Sequence, residues 1–232
     1  MHAIIKNTPP ALALFDIDGT LLRRSGPHHR AALVDAIHRT TGLETTTEGI
    51  PLQGMLDPEI ITAMLRRAGA PDAMIREAMP VIQRRAQAQY VRTCPNLERK
   101  TCPGVRRLLA RLERRGVLMA LVTGNLTRIG WKKMECAGLK DYFRYGAFGE
   151  MAKDRAGLAR MAIRCARESG LILRSTPITL IGDSPSDILA ARANRVRSIA
   201  VSTGICTPDE LRAHEPDLLL EDLRALTPEM LA

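Results

Sequence analysis

Four short apolar runs, each ending in polar residues, constrain the fold of this chain more than any other feature of its sequence. They span residues 11–15, 117–122, 178–181 and 199–201. Each run precedes a segment with helical spacing of apolar residues, and strands that alternate with helices predict an α/β fold with a parallel sheet. In such sheets, ligands bind beyond the carboxyl ends of the strands. The polar residues that end the four runs are therefore expected to meet at one edge.

The long stretch between the first two runs is predicted to be mostly helical, because its apolar residues repeat at helical spacing in three segments. The positions are Leu33 and Ile37 in the first segment, Ile61, Met64, Leu65 and Ala68 in the second, and Ile75, Met79, Ile82, Ala86 and Tyr90 in the third. Pro80 lacks an amide proton, so a kink or break is expected near Met79. The predicted organisation is a core of residues 1–24 and 96–232 and a helical cap of residues 25–95, with hinges at 25–27 and 93–95.

Length and composition indicate a globular protein. The 232 residues are 45% hydrophobic, which suffices for one core with an appended domain. The apolar runs are far shorter than a bilayer-spanning helix, so we expect no membrane partner. The first ten residues hold no apolar segment of signal-peptide length, which favours a cytoplasmic location. Five cysteines without a CxxC pair predict reduced thiols rather than disulfides or a zinc site.

The formal net charge of +9 raises the alternative of a noncatalytic nucleic-acid-binding protein. The arginines are scattered through predicted helices, however, and aromatic residues make up only 3% of the chain. A local group of arginines at residues 106–115 alternates with apolar residues at helical spacing, which is typical of a solvated helix face. We therefore expect no nucleic-acid partner, and a monomer or a homodimer.

The most specific segment is Phe15-Asp16-Ile17-Asp18-Gly19-Thr20-Leu21, which places two carboxylates two residues apart directly after an apolar run. In a regular strand both side chains would point to the same face and repel each other. A divalent cation, or a role that keeps one carboxyl group protonated, would relieve this repulsion. Gly19 permits a sharp turn, and Thr20 can fix that turn by local hydrogen bonding. Two exposed turn aspartates are the alternative for this segment taken alone.

Together with the later polar ends, this segment resembles the first of four motifs of the haloacid dehalogenase superfamily, in its phosphoglycolate phosphatase-like branch. The other motifs fall on Thr123-Gly124-Asn125, on a basic residue at Lys153 to Arg155, and on Gly182-Asp183-Ser184-Pro185-Ser186-Asp187. The resemblance spans almost the whole chain and implies a Rossmann-like core with an inserted, mostly helical cap. It implies a phosphatase that hydrolyses small phosphorylated metabolites, such as phosphoglycolate or a sugar phosphate.

The resemblance also implies a role for each motif. Asp16 would attack phosphorus to form an aspartyl-phosphate, and Asp18 would protonate the leaving group and then activate water. Asp16, Asp183 and the backbone carbonyl of Asp18 would hold Mg²⁺, with Asp187 supporting the site. The phosphoryl group would be bound by Thr123, Gly124 and Asn125.

Either Lys153 or Arg155 can supply the cation of the third motif, and Arg155 is favoured. Phe148-Gly149-Glu150 followed by Asp154-Arg155 resembles the branch's pattern of a glycine turn, an acidic residue and an arginine that opens a helix. Lys153 would then be a solvated neighbour, although it is retained as a candidate for phosphate binding.

Three other positions complete the comparison with the family. Residues 54–57 resemble the cap loop that lies near the substrate in this branch. His28 and His29 lack a visible third metal ligand and are expected to be helix-end residues. Arg195 stands where the family commonly has glycine, and a left-handed conformation there would be strained unless Asn194 adopts it.

Two other activities occur in the same superfamily. A dehalogenase is disfavoured, because that reaction needs no second acid/base carboxylate and Asp18 supplies one. A phosphomutase would use the same Asp16 and Asp18 but would return the phosphoryl group to the sugar, and the motifs alone do not separate it from a phosphatase.

Overall fold

A parallel β-sheet forms the centre of the molecule, which confirms the predicted α/β fold. The computed structural model describes residues 9–23 and 26–231 of the chain. The strands in these residues are β1 (Leu12–Phe15), β2 (Leu118–Val122), β3 (Tyr145–Ala147), β4 (Ile178–Gly182), β5 (Arg197–Val201) and β6 (Leu218–Leu220). They form one sheet in the order β3-β2-β1-β4-β5-β6, and each neighbouring pair is parallel. The four apolar runs correspond to the inner strands, and the short edge strands β3 and β6 were not predicted.

Helices follow the strands and also occupy the long stretch between β1 and β2. They are α1 (His28–Thr41), α2 (Asp57–Arg67), α3 (Asp72–Thr93), α4 (Val105–Arg114), α5 (Thr127–Cys136), α6 (Arg155–Glu168), α7 (Pro185–Ala193) and α8 (Pro208–Arg212). Within the described residues, none of these helices combines the length and apolar character needed to cross a bilayer.

Alternating side chains along β1 build an apolar core on each face of the sheet, because successive strand residues point to opposite faces. Ala13 and Phe15 pack in a cluster with apolar residues of α4, whereas Leu12 and Leu14 pack in a second cluster with those of α6. All four positions are buried, as expected for a central strand covered on both faces. The strand is therefore rigidly held where its carboxyl end delivers polar residues.

Helices α1, α2 and α3 share an apolar cluster of their own. Ile37 and Ile82 belong to it, and Ile129 of α5 completes it from the sheet side. The three helices therefore pack against each other and against one helix that follows β2. The division of the chain into a core and a cap of residues 25–95 stays a prediction, and its first boundary, at residues 24 and 25, lies outside the described residues.

Helix α3 continues through Pro80, so the expected break near Met79 is absent, while a kink there stays a prediction. It runs from Asp72 to Thr93 with the proline inside it. The ring removes one backbone hydrogen bond, but the helix packs along α1, and this packing offsets the local loss. Tertiary contacts thus override a local signal that is reliable only for isolated helices.

The left-handed turn after α7 is made by Arg195 itself, with φ of 55°. Asn194, which could have relieved Arg195 of this conformation, has φ of −101° and stays at the helix end. Its side-chain amide donates to the carbonyls of Ala156 at 2.9 Å and Ala190 at 2.8 Å. These two bonds hold Asn194 in place, so the next residue makes the turn.

Truncation of the central strand tests this account of the core. Leu14→Ala should lower the free energy of unfolding by about 2–5 kcal/mol, because it removes buried methyl groups and leaves a cavity. Leu189→Ala is the control, since Leu189 is 47% exposed on α7, and it should change stability by no more than about 0.5 kcal/mol. Urea unfolding measures both. Equal losses in the two variants would contradict the burial of β1.

Candidate active site

Three carboxylates meet at the carboxyl edge of the sheet. Asp16 follows β1 and Asp183 follows the neighbouring strand β4, while Asp187 lies in the first turn of α7. One carboxylate oxygen of each lies within 4.8 Å of the others. Their exposed fractions are 4%, 5% and 1% respectively. The parallel topology therefore brings together acidic residues from opposite ends of the chain in a buried place, which we call the acidic group.

The backbone fits closely around Asp183. Gly19 has φ of 90°, a left-handed conformation that glycine adopts freely, and a Cβ there would overlap the Asp183 carboxyl group. Thr20 donates its hydroxyl hydrogen to Asp183 Oδ1 at 3.1 Å. Gly204, which follows β5, approaches the same carboxyl group, and a Cβ there would also overlap it. Side chains at either glycine would displace this carboxylate.

Arg155 brings a positive charge into contact with the acidic group. Its Nη1 donates to Asp16 Oδ1 at 2.8 Å and to the carbonyl of Val122 at 3.1 Å. Its Nε lies 3.3 Å from Asp187 Oδ1. The guanidinium therefore spans two of the three carboxylates, and their charges raise its own pKa further above its ordinary value, despite the opposing effect of burial.

The start of α6 decides which basic residue reaches the site. Asp154 caps this helix by accepting a hydrogen bond from the Gly157 amide at 2.7 Å. Arg155, the first residue of the helix, is then only 7% exposed. Lys153, which precedes the capping residue Asp154, is exposed and does not line the pocket. The expected contact of Lys153 with phosphate therefore has no support in this geometry.

Three buried carboxylates beside one guanidinium leave negative charge that a cation would neutralise. Burial raises the pKa of Asp16 to about 6, against the opposing charge of Arg155. Burial and the charges of Asp16 and Asp187 raise the pKa of Asp183 well above its ordinary value. Asp187 Oδ1 is buried and accepts no hydrogen bond within the described residues. A set of closely spaced carboxylate oxygens with one oxygen lacking a donor fits a hard divalent cation such as Mg²⁺.

Asp18 belongs to a separate polar network rather than to the acidic group. Its Oδ2 accepts hydrogen bonds from Lys133 Nζ at 2.6 Å and from Asn125 Nδ2 at 2.8 Å. Lys133 also donates to Asn125 Oδ1 at 2.6 Å, and Asn125 Nδ2 donates to Thr123 Oγ1 at 2.7 Å. The Asn125 side chain thus orients Asp18.

Lys133 favours the ionised form of Asp18. Burial opposes ionisation, but the charges of Lys133 and His29 and the hydrogen bonds from Lys133 and Asn125 hold the pKa of Asp18 below its ordinary value. The pKa values of Asp16 and Asp18 are therefore shifted in opposite directions, although only one residue separates them. Neighbouring carboxylates with such different environments are suited to different chemical roles.

The network around Lys133 continues into helices α1 and α2. His29 Nδ1 lies 3.2 Å from Lys133 Nζ, and His29 Nε2 lies 3.0 Å from Asp57 Oδ2. The same Asp57 oxygen accepts a hydrogen bond from the Leu126 amide at 2.8 Å, and the Asp57 amide donates to the carbonyl of Gly124 at 2.8 Å. Helices α1 and α2 therefore contact both the loop after β2 and Lys133, the lysine that binds Asp18.

Lys133 and His29 are site residues that the sequence does not identify as such, and Asp57 is anticipated only as part of the loop at residues 54–57. His29 lies in the first turn of α1, as expected for a helix-end residue, but its ring joins a buried network. Lys133 is 0% exposed and lies four residues after buried Ile129 on α5. A lysine on the apolar face of a helix is the signal that could have indicated it, because lysine is almost never fully buried without a partner.

A pocket of about 770 Å³ connects these groups. Its lining includes the predicted residues Asp16, Asp18, Thr123, Gly124, Asn125, Arg155 and Asp183, and also Lys133 and His29. Gly54 and Met55, from the loop that resembles the family's cap loop, line it from the cap side. The predicted second-motif residues thus share one pocket with the acidic group and with residues from the stretch between β1 and β2.

Removal of one carboxylate tests the cation site without measuring activity. Mg²⁺ should raise the melting temperature of the wild-type protein, because a ligand present at 100 times its Kd adds about 2.7 kcal/mol of stability. The shift should shrink as the pH falls below about 6, the pKa of Asp16, since protons then compete with the cation. Asp183→Asn should lose the shift, measured by calorimetry. Asp141→Asn, at an exposed position, should keep it, and a full shift in Asp183→Asn would contradict the site.

Comparison with known proteins identifies the family. The model of the haloacid dehalogenase-like hydrolase family matches residues 13–192. A phosphoglycolate phosphatase of Agrobacterium fabrum is 30% identical over 224 residues, which cover 94% of this chain and 91% of that protein. The crystal structure of CbbY from Rhodobacter sphaeroides in complex with phosphate has a TM-score of 0.71 at 21% identity, covering 95% and 98% of the two chains. The structure of a β-phosphoglucomutase from Clostridium difficile has a TM-score of 0.69 at 16% identity, covering 96% and 95%. The chain belongs to the haloacid dehalogenase-like hydrolases.

Proposed function

We propose that this protein is a Mg²⁺-dependent phosphatase that hydrolyses small phosphomonoesters through an aspartyl-phosphate on Asp16. The observation that carries the proposal is the buried acidic group beside Arg155, with Asp18 held one residue away from the nucleophile in a different electrostatic environment. The 30% identity to a phosphoglycolate phosphatase over nearly the full length of both chains supports the same reaction class. Phosphoglycolate and sugar phosphates are the substrates we propose to test first.

The acidic group would hold the cation. We assign Asp16, Asp183 and the backbone carbonyl of Asp18 as its ligands, and Asp187 as a support whose Oδ1 lacks a hydrogen bond. When bound, Mg²⁺ would neutralise charge on the carboxylates and on the phosphoryl oxygens. Arg155 adds a second positive charge beside Asp16, where negative charge accumulates during phosphoryl transfer.

In the first step, a carboxylate oxygen of Asp16 attacks phosphorus and the bond between phosphorus and the leaving oxygen breaks. The protonated form of Asp18, which the second step regenerates, gives its proton to that oxygen, so an alcohol leaves instead of an alkoxide. Lys133 lies 2.6 Å from Asp18 and stabilises the carboxylate that this transfer produces. The lysine therefore makes Asp18 a stronger acid.

In the second step, water attacks the phosphorus of the aspartyl-phosphate. Asp18, now ionised, takes a proton from the water, and the bond between Asp16 and phosphorus breaks to release inorganic phosphate. The hydrogen bond from Asn125 keeps Asp18 in one orientation for both proton transfers. Thr123 and the amides of Gly124 and Asn125 are proposed to hold the phosphoryl group between the two steps.

We further propose that residues 25–95 act as a cap over this pocket and that the protein acts in the cytoplasm as a monomer or homodimer. The cap lines the pocket through Leu33, Met55 and Ile60, so a docked cap would exclude bulk water from the reacting groups. An enclosed pocket favours small metabolites over folded phosphoproteins.

A phosphomutase would use the same two aspartates and differ only in the fate of the phosphoryl group. The likeness to a β-phosphoglucomutase concerns the fold, at 16% identity, whereas the phosphatase of Agrobacterium fabrum is 30% identical over 94% of this chain. Release of inorganic phosphate from a sugar phosphate, without formation of an isomeric sugar phosphate, is the expected result of product analysis.

Replacement of the nucleophile tests the mechanism. Asp16→Asn should lose Mg²⁺-dependent phosphate release by several orders of magnitude, because an amide does not form the aspartyl-phosphate. Its far-ultraviolet circular dichroism and its melting curve should remain those of a folded protein. Undiminished turnover in this variant would refute the assignment of Asp16.

Replacement of the buried lysine tests its role in proton transfer. With glucose 6-phosphate, Lys133→Met should lose part of the factor of about 10²–10⁴ that general acid–base catalysis contributes. With p-nitrophenyl phosphate, whose leaving group departs without a proton, the loss in kcat/KM should be smaller. Lys132→Met is the matched control, because Lys132 pairs with Glu135 at 3.1 Å on the same helix. Equal losses with both substrates would mean that Lys133 acts in binding or folding instead.

A further inference from the structure

Four exposed cations line the same pocket as the acidic group, in addition to Arg155 and Lys133, which pair with Asp16 and Asp18. The four are Arg23, Arg30, Arg99 and Lys100, which we call the cationic rim. Within the described residues none of their side chains has an ion pair or a side-chain hydrogen bond. The pocket therefore holds more positive charge than its carboxylates pair with.

The segments that follow β1 and α3 hold three of these cations side by side. The Arg23 amide donates to the carbonyl of Lys100 at 2.7 Å, and a β-bridge joins Leu22 to Thr101. Arg99 is adjacent to Lys100, and these two residues belong to one short 3₁₀ turn. The backbone thus keeps like charges close together, and an anion placed between them would relieve their repulsion.

The fourth cation comes from the cap. Arg30 lies in the first turn of α1, one residue after His29. An anion that contacts both Arg30 and the other three cations would therefore link α1 to the segments that follow β1 and α3. A substrate group bound in this position would favour the docked arrangement of the cap.

We infer that the cationic rim binds a second anionic group of the substrate, at the end remote from the phosphate that is cleaved. This inference rests on the proposed function, which places the scissile phosphate at the acidic group. Carboxylate and phosphate share the chemistry that guanidinium and ammonium groups recognise, namely negative oxygens that accept charge-assisted hydrogen bonds. The substrate class is a phosphomonoester that carries either group at its far end.

The apolar part of the lining restricts the body of this substrate. It includes Leu33, Leu52, Ile60 and Ile205, and the described lining contains no Phe, Tyr or Trp side chain. The ring of His29 contacts Lys133 and Asp57, so a nucleobase would find no free ring on which to stack, which disfavours nucleotides. The volume of about 770 Å³ exceeds what the small glycolate body needs, so the lining fits a longer chain or a sugar.

Two matched pairs of esters that differ in the group at C1 test the rim. Among ring esters, glucose 6-phosphate carries a hydroxyl and glucose 1,6-bisphosphate a phosphate at C1. Among open-chain esters, glucitol 6-phosphate carries a hydroxyl and 6-phosphogluconate a carboxylate at C1, and each two-anion ester is compared with its own partner. Titration calorimetry with Asp16→Asn in Mg²⁺ keeps each ester intact. At least one two-anion ester should bind at least tenfold more tightly than its own partner, and the esters that gain affinity identify the recognised group. The advantage should decrease with added salt.

Charge-removing variants show whether the rim produces this advantage. Arg99→Gln and Arg30→Gln, each combined with Asp16→Asn, should reduce the ratio of affinities toward one. Arg84→Gln is the matched control, since Arg84 is exposed on α3 and does not line the pocket, and it should preserve the ratio. Equal affinities within both pairs of esters, or a ratio that survives Arg99→Gln and Arg30→Gln, would overturn the subsite.

The same esters keep a failure of the subsite separate from a failure of the proposed function. Phosphate release by the wild-type protein reports on catalysis, whereas the affinity ratio is measured without turnover. If phosphate is released from glucose 6-phosphate but a second anion gives no affinity advantage, the proposed role of the cationic rim is wrong and the proposed phosphatase activity stands. An affinity advantage without release of phosphate from any ester would retain the anion site and contradict the phosphatase.

Discussion

Repulsion among buried carboxylates is the constraint on which the rest of this structure depends. The order of the parallel strands places Asp16 and Asp183 at adjacent strand ends, and α7 adds Asp187. The carboxylates repel each other, so their close approach must be stabilised by other interactions. The hydrophobic clusters on both faces of the sheet supply this stabilisation. Arg155 offsets part of the charge. The remainder is the reason that a cation belongs in the proposed reaction rather than being an accessory to it.

The two aspartates of the first motif show how one fold separates two roles. Asp16 is buried among like charges, and its pKa is raised. Asp18 meets Lys133 and Asn125, and its pKa is lowered. The difference arises from the turn at Gly19, which sends the chain past Asp183 and leaves Asp18 to partners from α5 and the loop after β2. Local backbone geometry thus assigns electrostatic surroundings to side chains that the sequence presents as equivalent.

Much of this arrangement could be predicted from sequence because it depends on local patterns. The apolar runs indicate β1, β2, β4 and β5, as observed. The edge strands β3 and β6 are three residues long and have no comparable pattern. The turn at Arg195 depends on hydrogen bonds that Asn194 makes to another helix. The features that local patterns do not predict depend on contacts with residues distant in sequence.

Lys133 was missed for the same reason, and its contacts suggest an order of events in the proposed reaction. The nucleophile is held by strand ends and by Arg155, which all belong to the sheet region. The lysine that supports the acid/base residue also contacts His29, and His29 contacts Asp57, so both of these partners come from helices between β1 and β2. Displacement of those helices would leave the acidic group intact while removing two partners from the proton-transfer network. Docking of the cap would therefore control departure of the leaving group more strongly than it controls binding of the cation.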